Sequence, residues 1–204
     1  MPDAHTAPVS ALLLAGGQAS RMGGHDKGLL DCAGQPLIAH VLARIAPCVA
    51  GILISANRHL DRYRAYGYPV LDDAQADYPG PLAGIARGLE HCMTAWLWVV
   101  PCDAPQVDAQ LLTRLLDACC ETQLPAAVPI EAGHAQPTFA LLRKDTQAGL
   151  HTYWDQGGRG VHEWLATLPA ARVECSDHPE WFVNLNTPEE LVEYLARDRE
   201  TRTP

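Results

Sequence analysis

Arg21 and Lys27 stand close together in a stretch that also holds Gly16, Gly17, Gly23, Gly24 and Gly28. That combination suits polyphosphate. Glycines let the backbone come near a ligand, and successive main-chain N–H groups can line up on anionic oxygens. A guanidinium offers phosphate a planar fork, and an ammonium supplies a movable point charge. A third group complements them. Asp103 follows the apolar run Trp96–Val100 and precedes Ala104-Pro105. A hard carboxylate there can hold Mg²⁺ beside phosphate oxygens and water, or it can cap the helix that begins near Asp108. Other polar residues close further apolar runs: Ser55 and Asn57 after Gly51–Ile54, Asp72 and Asp73 after Val70-Leu71, and Asn184 and Asn186 in alternation after Phe182. Asn57 reads equally as a helix cap. Asn184 and Asn186, two apart on a strand, would face one side.

Several chemistries are excluded. Lys27 is preceded by Asp26 and followed by Gly28, so the pattern G-x-x-x-x-G-K-[ST] fails. G-x-G-x-x-G fails too, which argues against a dinucleotide oxidoreductase. The seven cysteines are odd in number, scattered and without C-x-x-C, as expected of reduced thiols in a cytoplasmic protein. The nine histidines show no H-x-x-x-H or H-x-H spacing, so a histidine metal site is not expected. A formal net charge of −9 disfavours nucleic acid as a partner. No apolar run approaches the roughly 20 residues that span a bilayer. MPDAHTAP carries no signal-peptide pattern and reads as a flexible arm, as does the charged tail over 198–204.

The elements that must position these residues alternate. Val9–Ala15 predicts a buried strand of a parallel sheet. Pro36 starts and Pro47 stops a helix with Leu37, Ile38, Val41, Leu42 and Ile45 on one face. Strands are expected over 51–56 and 68–73. The turn Tyr78-Pro79-Gly80-Pro81 leads into a helix through about Met93, whose N-terminus attracts anions. The run 96–100 is a strand, and a helix from Asp108 to about Cys120 buries Leu111, Leu112, Leu115 and Leu116. Strands are expected over 126–130, 136–142 and 173–175, and helices over 145–154 and on to 168, broken by Gly157-Gly158-Arg159-Gly160. Thr187, Pro188 and Glu190 read as a capping box on a last helix. The chain of 204 residues is expected to form a single domain, a three-layer α/β fold with a mostly parallel central sheet.

The stretch LAGGxxxRMGGxDKGLL, read here from Leu14 to Leu30, resembles the signature of the molybdenum cofactor guanylyltransferases, within the wider nucleotidyltransferases of Rossmann-like fold. PGPLAG and FVNLNTPEEL resemble further segments of that family. The resemblance implies transfer of GMP from GTP to molybdopterin, or to molybdenum-bound molybdopterin, with Mg²⁺ as cofactor. It implies that Leu14, Ala15, Gly16 and Gly17 lie against the nucleotide and that Arg21 and Lys27 neutralise the triphosphate. It further implies that Asp103 holds Mg²⁺ and that Ser55, Asn57 and Asp73 contact the guanosine. Asn184 and Asn186 would face the pterin, with His134 and Gln136 as further pterin-side candidates beside the equal reading of plain loop residues. Arg159 either meets the pterin phosphate or is solvated. Gly16 favours GTP, since cytidylyl relatives tend to carry LAAG. Ser55 departs from the asparagine frequent at its place. Transient contact with molybdenum insertion proteins or molybdoenzyme chaperones is implied at family level. Two other functions fit the same residues: a CTP-dependent molybdopterin cytidylyltransferase, and a nucleotide-binding adaptor without catalysis.

Overall fold

The computed structural model describes residues 8–15, 26–72, 80–185, 190, 191 and 194. Gly16, Gly17, Arg21, Asp73, Asn186, Thr187, Pro188 and both chain ends lie outside the described residues.

The strands are β1 (Val9–Leu14), β2 (Asp31–Cys32), β3 (Gln35–Pro36), β4 (Gly51–Ser55), β5 (Val70–Leu71), β6 (Trp96–Pro101), β7 (Ala126–Glu131), β8 (His134–Ala135), β9 (Leu141–Arg143) and β10 (Ala170–Glu174). The helices are α1 (Leu37–Ile45), α2 (Leu60–Arg64), α3 (Pro81–His91), α4 (Ala109–Thr122), α5 (Gln147–Asp155) and α6 (Val161–Thr167). The main sheet runs β10-β7-β9-β6-β1-β4-β5, with β8 beside β7, and β2 and β3 form a separate hairpin. β1 pairs in parallel with both β4 and β6, as does β4 with β5 and β7 with β10. β9 is antiparallel to both β6 and β7. The sheet is thus mostly parallel, as the alternation of elements predicts.

Period-two alternation sends side chains to two cores. On β1, Val9, Ala11 and Leu13 join one face and Leu12 the other. On β6, Trp96, Trp98 and Val100 point one way, and Leu97 and Val99 the other. The first face is covered by Ile38, Val41 and Ile45 of α1, Tyr63 of α2 and Leu111, Leu112 and Leu115 of α4. The second is covered by Leu82, Ile85 and Leu89 of α3, Leu150 and Trp154 of α5, and Trp164 and Leu165 of α6. Burial on both faces explains why β1, apart from the buried Ser10, and β6 read as apolar runs.

Three expectations change in detail. The stretch 136–142 is not one strand: Pro137–Phe139 form a 3₁₀ turn, and the strand begins at Leu141. Pro137 lacks the N–H a ladder needs and favours that turn. The last strand lies at Ala170–Glu174, earlier and longer than expected, because it pairs along β7. The third strand shortens to Val70–Leu71, leaving Asp72 exposed past its end.

Candidate active site

A cleft of about 230 Å³ opens beyond the carboxyl ends of the three central parallel strands. That is where open α/β sheets bind ligands. Leu14 and Ala15 reach it from β1, Ser55 and Asn57 from β4, and Pro101 and Asp103 from β6. The chain holds these ends in register: Ala15 N donates to Ser55 O at 2.8 Å, and Cys102 N to Leu14 O at 3.1 Å. Lys27 enters from the short 3₁₀ turn Lys27–Leu29, and Asn184 and Thr138 also line the cleft.

Lys27 Nζ stands 3.5 Å from Asp103 Oδ2. This loose ion pair brings together two of the three catalytic candidates; the third, Arg21, is outside the described residues. Asp103 is only 9% exposed. Burial pushes its carboxyl above the ordinary carboxylate range, the Lys27 charge pulls it back, and the Glu190 carboxylate adds to the rise. The capping alternative for Asp103 falls away. Asp108 caps α4, its Oδ1 accepting from Gln110 N at 2.9 Å. Asp103 is therefore left for the cleft, and its backbone O accepts from Leu185 N at 2.9 Å, tying the Asn184 wall to the Asp103 turn.

The remaining candidates separate. Leu14, Ala15, Ser55, Asn57 and Asn184 all line the cleft. Asn57 does not cap α2, whose first flanking residue is His59. Arg159 belongs to its own turn: it donates to Trp154 O at 3.0 Å and Gly158 O at 2.7 Å and lies over the Trp154 ring at 4.5 Å. His134 is exposed, with Nδ1 at 2.9 Å from Ala132 O. Neither His134, Gln136 nor Arg159 lines the cleft. Cys102 lines it but is almost wholly buried, and burial with the neighbouring carboxylates pushes its thiol well up, away from nucleophilic use.

Asp26 and Thr138 are cleft residues that sequence reasoning did not single out. Thr138 sits on the 3₁₀ turn that breaks the expected strand, in the segment 137–141 whose family likeness points to the substrate side without singling it out. Gly80 and Pro81 also line the cleft. Gly80 adopts φ +104°, which favours glycine, and Pro81 opens α3. The eleven-residue α3 therefore starts at the cleft and offers its positive end there.

Close packing makes this approach possible. A Cβ on Gly84 would lie 2.5 Å from Ser55 Oγ and 2.9 Å from Leu14 Cδ2. Gly84→Ala is expected to destabilise the fold by about 1–3 kcal/mol in urea unfolding and to raise KM for the nucleotide. Unchanged values of both would show that Ser55 and Leu14 can retreat freely.

The MobA-like NTP transferase domain family matches residues 11–173. A molybdenum cofactor guanylyltransferase of Vibrio campbellii is 44% identical over 186 residues, 91% of this chain and 94% of that protein. One of Ralstonia nicotianae is 42% identical over 201 residues, 94% of this chain and 98% of that protein. Among solved structures, molybdopterin-guanine dinucleotide biosynthesis protein A of Archaeoglobus fulgidus superposes with a TM-score of 0.77 at 20% identity, covering 94% of this chain and 99% of that one. The 2-C-methyl-D-erythritol 4-phosphate cytidylyltransferase of Thermus thermophilus gives 0.67 at 19%, covering 92% and 98%. The structural likenesses show a shared nucleotidyltransferase fold, and the sequence relatives narrow it: this chain belongs to the molybdenum cofactor guanylyltransferases.

Proposed function

We propose that the chain, acting as one nucleotidyltransferase domain in the cytoplasm, transfers GMP from GTP to the terminal phosphate of molybdopterin. Molybdenum carried on the pterin is part of the substrate. A phosphate oxygen of the acceptor attacks the α-phosphorus of GTP. The bond to the bridging oxygen of the β-phosphate breaks, and pyrophosphate leaves with its electron pair. The products are molybdopterin guanine dinucleotide and pyrophosphate.

The observation that carries this reading is the Lys27–Asp103 pair at the mouth of the central parallel strands. The chemical problem is an anionic nucleophile approaching an anionic phosphorus. Catalysis then comes from in-line positioning and neutralised charge rather than from a strong base. A phosphate monoester is already largely ionised near neutral pH, so the acceptor needs no histidine to activate it. Lys27 supplies positive charge to the triphosphate and to departing pyrophosphate, with Arg21 as its partner on the glycine-rich loop. Gly16 and Gly17 let the backbone reach the nucleotide. Leu14, Ala15, Ser55, Asn57 and Asp73 hold the guanosine, and Asn184 and Asn186 orient the pterin.

The donor set fits Mg²⁺. One largely buried carboxylate at the cleft floor suits a hard cation that takes one or two carboxylates and completes its shell with phosphate oxygens and water. Asp103 would hold it, and the ion would add charge neutralisation at the phosphates. No helix among the described residues is long and apolar enough to cross a membrane. Molybdenum insertion proteins and molybdoenzyme chaperones are the proposed transient partners for product delivery.

A nucleotide panel tests the reading. Purified protein, Mg²⁺ and molybdopterin are combined with GTP, CTP or ATP in turn, and pyrophosphate and dinucleotide are recorded. Dinucleotide is expected with GTP alone. Product with CTP alone would keep the site and overturn the base. Binding of GTP without turnover, with competent acceptor present, would favour the adaptor.

A further inference from the structure

Beneath the Lys27–Asp103 pair lies a polar contact that the nucleotide chemistry does not use. Tyr63 of α2 is fully buried among the side chains that cover one face of the sheet, and it does not line the cleft. Its hydroxyl donates to Asp26 Oδ1 at 2.5 Å. Asp26 is the residue before Lys27. Its backbone O accepts from Leu29 N at 3.1 Å, which starts the short turn that presents Lys27.

The same hydroxyl touches the other side of that turn. A Cβ on Gly28 would meet Tyr63 Oη at 2.8 Å and Cys102 Sγ at 2.9 Å. The turn is therefore pressed between the phenol and Cys102, and Cys102 is joined in the chain to Asp103. One buried hydroxyl thus braces the support of the ammonium against the support of the carboxylate. Burial pushes the phenol far above its usual range, so it remains a donor at any working pH. A phenylalanine would fill the same apolar space without placing a polar atom that must be satisfied there.

We infer that Tyr63 is a positioning residue for nucleotidyl transfer: its hydrogen bond to Asp26 fixes the Lys27–Leu29 turn against Cys102 and holds Lys27 Nζ beside Asp103. This rests on Lys27 being the phosphate-facing cation proposed above. A hydrogen bond to a charged group is worth more than a neutral one, and small displacements of a catalytic group are costly in rate.

The test is a double-mutant cycle with kcat and KM for GTP measured in the dinucleotide-forming assay, alongside thermal unfolding of each variant. Tyr63→Phe is expected to lower kcat about tenfold, with a smaller change in KM. Placed on Lys27→Ala, the same substitution is expected to change kcat less than about twofold, because nothing remains to be positioned. Asp26→Ala should reproduce the Tyr63→Phe loss, and Asp26→Asn, which keeps the acceptor, should restore most of it.

Equal losses from Tyr63→Phe with and without Lys27 would overturn the inference and leave a plain packing role. So would no loss at all. Should Tyr63→Phe fail to fold, the half-buried Asp26→Ala completes the same cycle against Lys27→Ala. A Lys27→Ala variant with wild-type kinetics would overturn the reading of Lys27 itself, and that arm alone separates the two failures.

Discussion

Asp103→Asn is expected to reduce guanylyl transfer by about a hundredfold or more at saturating GTP and Mg²⁺ while leaving the fold intact. Asparagine keeps the shape of aspartate and one carbonyl-type oxygen, so the turn after β6 can persist, including the bond from Leu185 N to the Asp103 backbone O. What is lost is the negative charge at the cleft floor. The magnitude follows from the usual cost of removing one charge-stabilising group from a phosphoryl or acyl transfer site. Stability should move the other way. Asp103 titrates above its ordinary value because burial outweighs the Lys27 attraction. Its folded-state pKa thus lies above its unfolded one. Its contribution to stability is fully present below the ordinary carboxylate value and is lost as pH rises through the raised one. Once ionised, the group opposes folding of the metal-free protein. The Asn variant should therefore show an equal or higher Tm without Mg²⁺ and a smaller gain when Mg²⁺ is added. Pyrophosphate release across a Mg²⁺ titration, with thermal unfolding in parallel, checks both arms. Wild-type turnover at saturating Mg²⁺ would remove Asp103 from the metal.

Much of this was legible from residue order, and the reason is physical. β1 and β6 are buried on both faces, so each announces itself as an apolar run, closed by glycines after β1 and by Asp103 after β6. In a parallel sheet those ends meet, which brings Ala15, Ser55 and Asp103 to one edge. The Asp108 cap of α4 was equally legible, because capping is a local bond within a few residues. The strand over 136–142 was not. β9 pairs with β6, distant in the chain, as well as with nearby β7, and Pro137, which has no N–H for a ladder, turns the chain before the strand begins. Tyr63 was invisible for a similar reason. Its partner Asp26 is 37 residues away, and nothing in the local pattern of a five-residue helix says that its tyrosine reaches a catalytic loop. Arg159 shows a choice that residue order leaves open, phosphate contact or solvated charge. Its own turn supplies two carbonyls and an indole face to hold it, contacts that no local pattern announces.

Lys27→Ala should lower kcat/KM for GTP by about a hundredfold and also displace the acid limb of its pH profile. The two effects share one cause. Lys27 supplies positive charge to the triphosphate, and the same ammonium, 3.5 Å from Oδ2, keeps Asp103 from rising further. The active form requires the Asp103 carboxylate, so activity falls as pH drops through its pKa. Removing Lys27 takes away the main influence that lowers that pKa, and the acid limb must move to higher pH. Lys27→Arg restores the charge without the same reach, so its limb should lie near that of the wild type even where its kcat does not recover. Glu190→Gln provides the opposite sign: removing a like charge that raises Asp103 should move the limb to lower pH. The profiles of kcat/KM against pH for the four proteins, taken at fixed ionic strength because exposed Glu190 is open to screening, make the ordering decisive. Coincident limbs in wild type and Lys27→Ala would mean that Asp103 does not govern the acid side of the reaction, whatever happens to the rate.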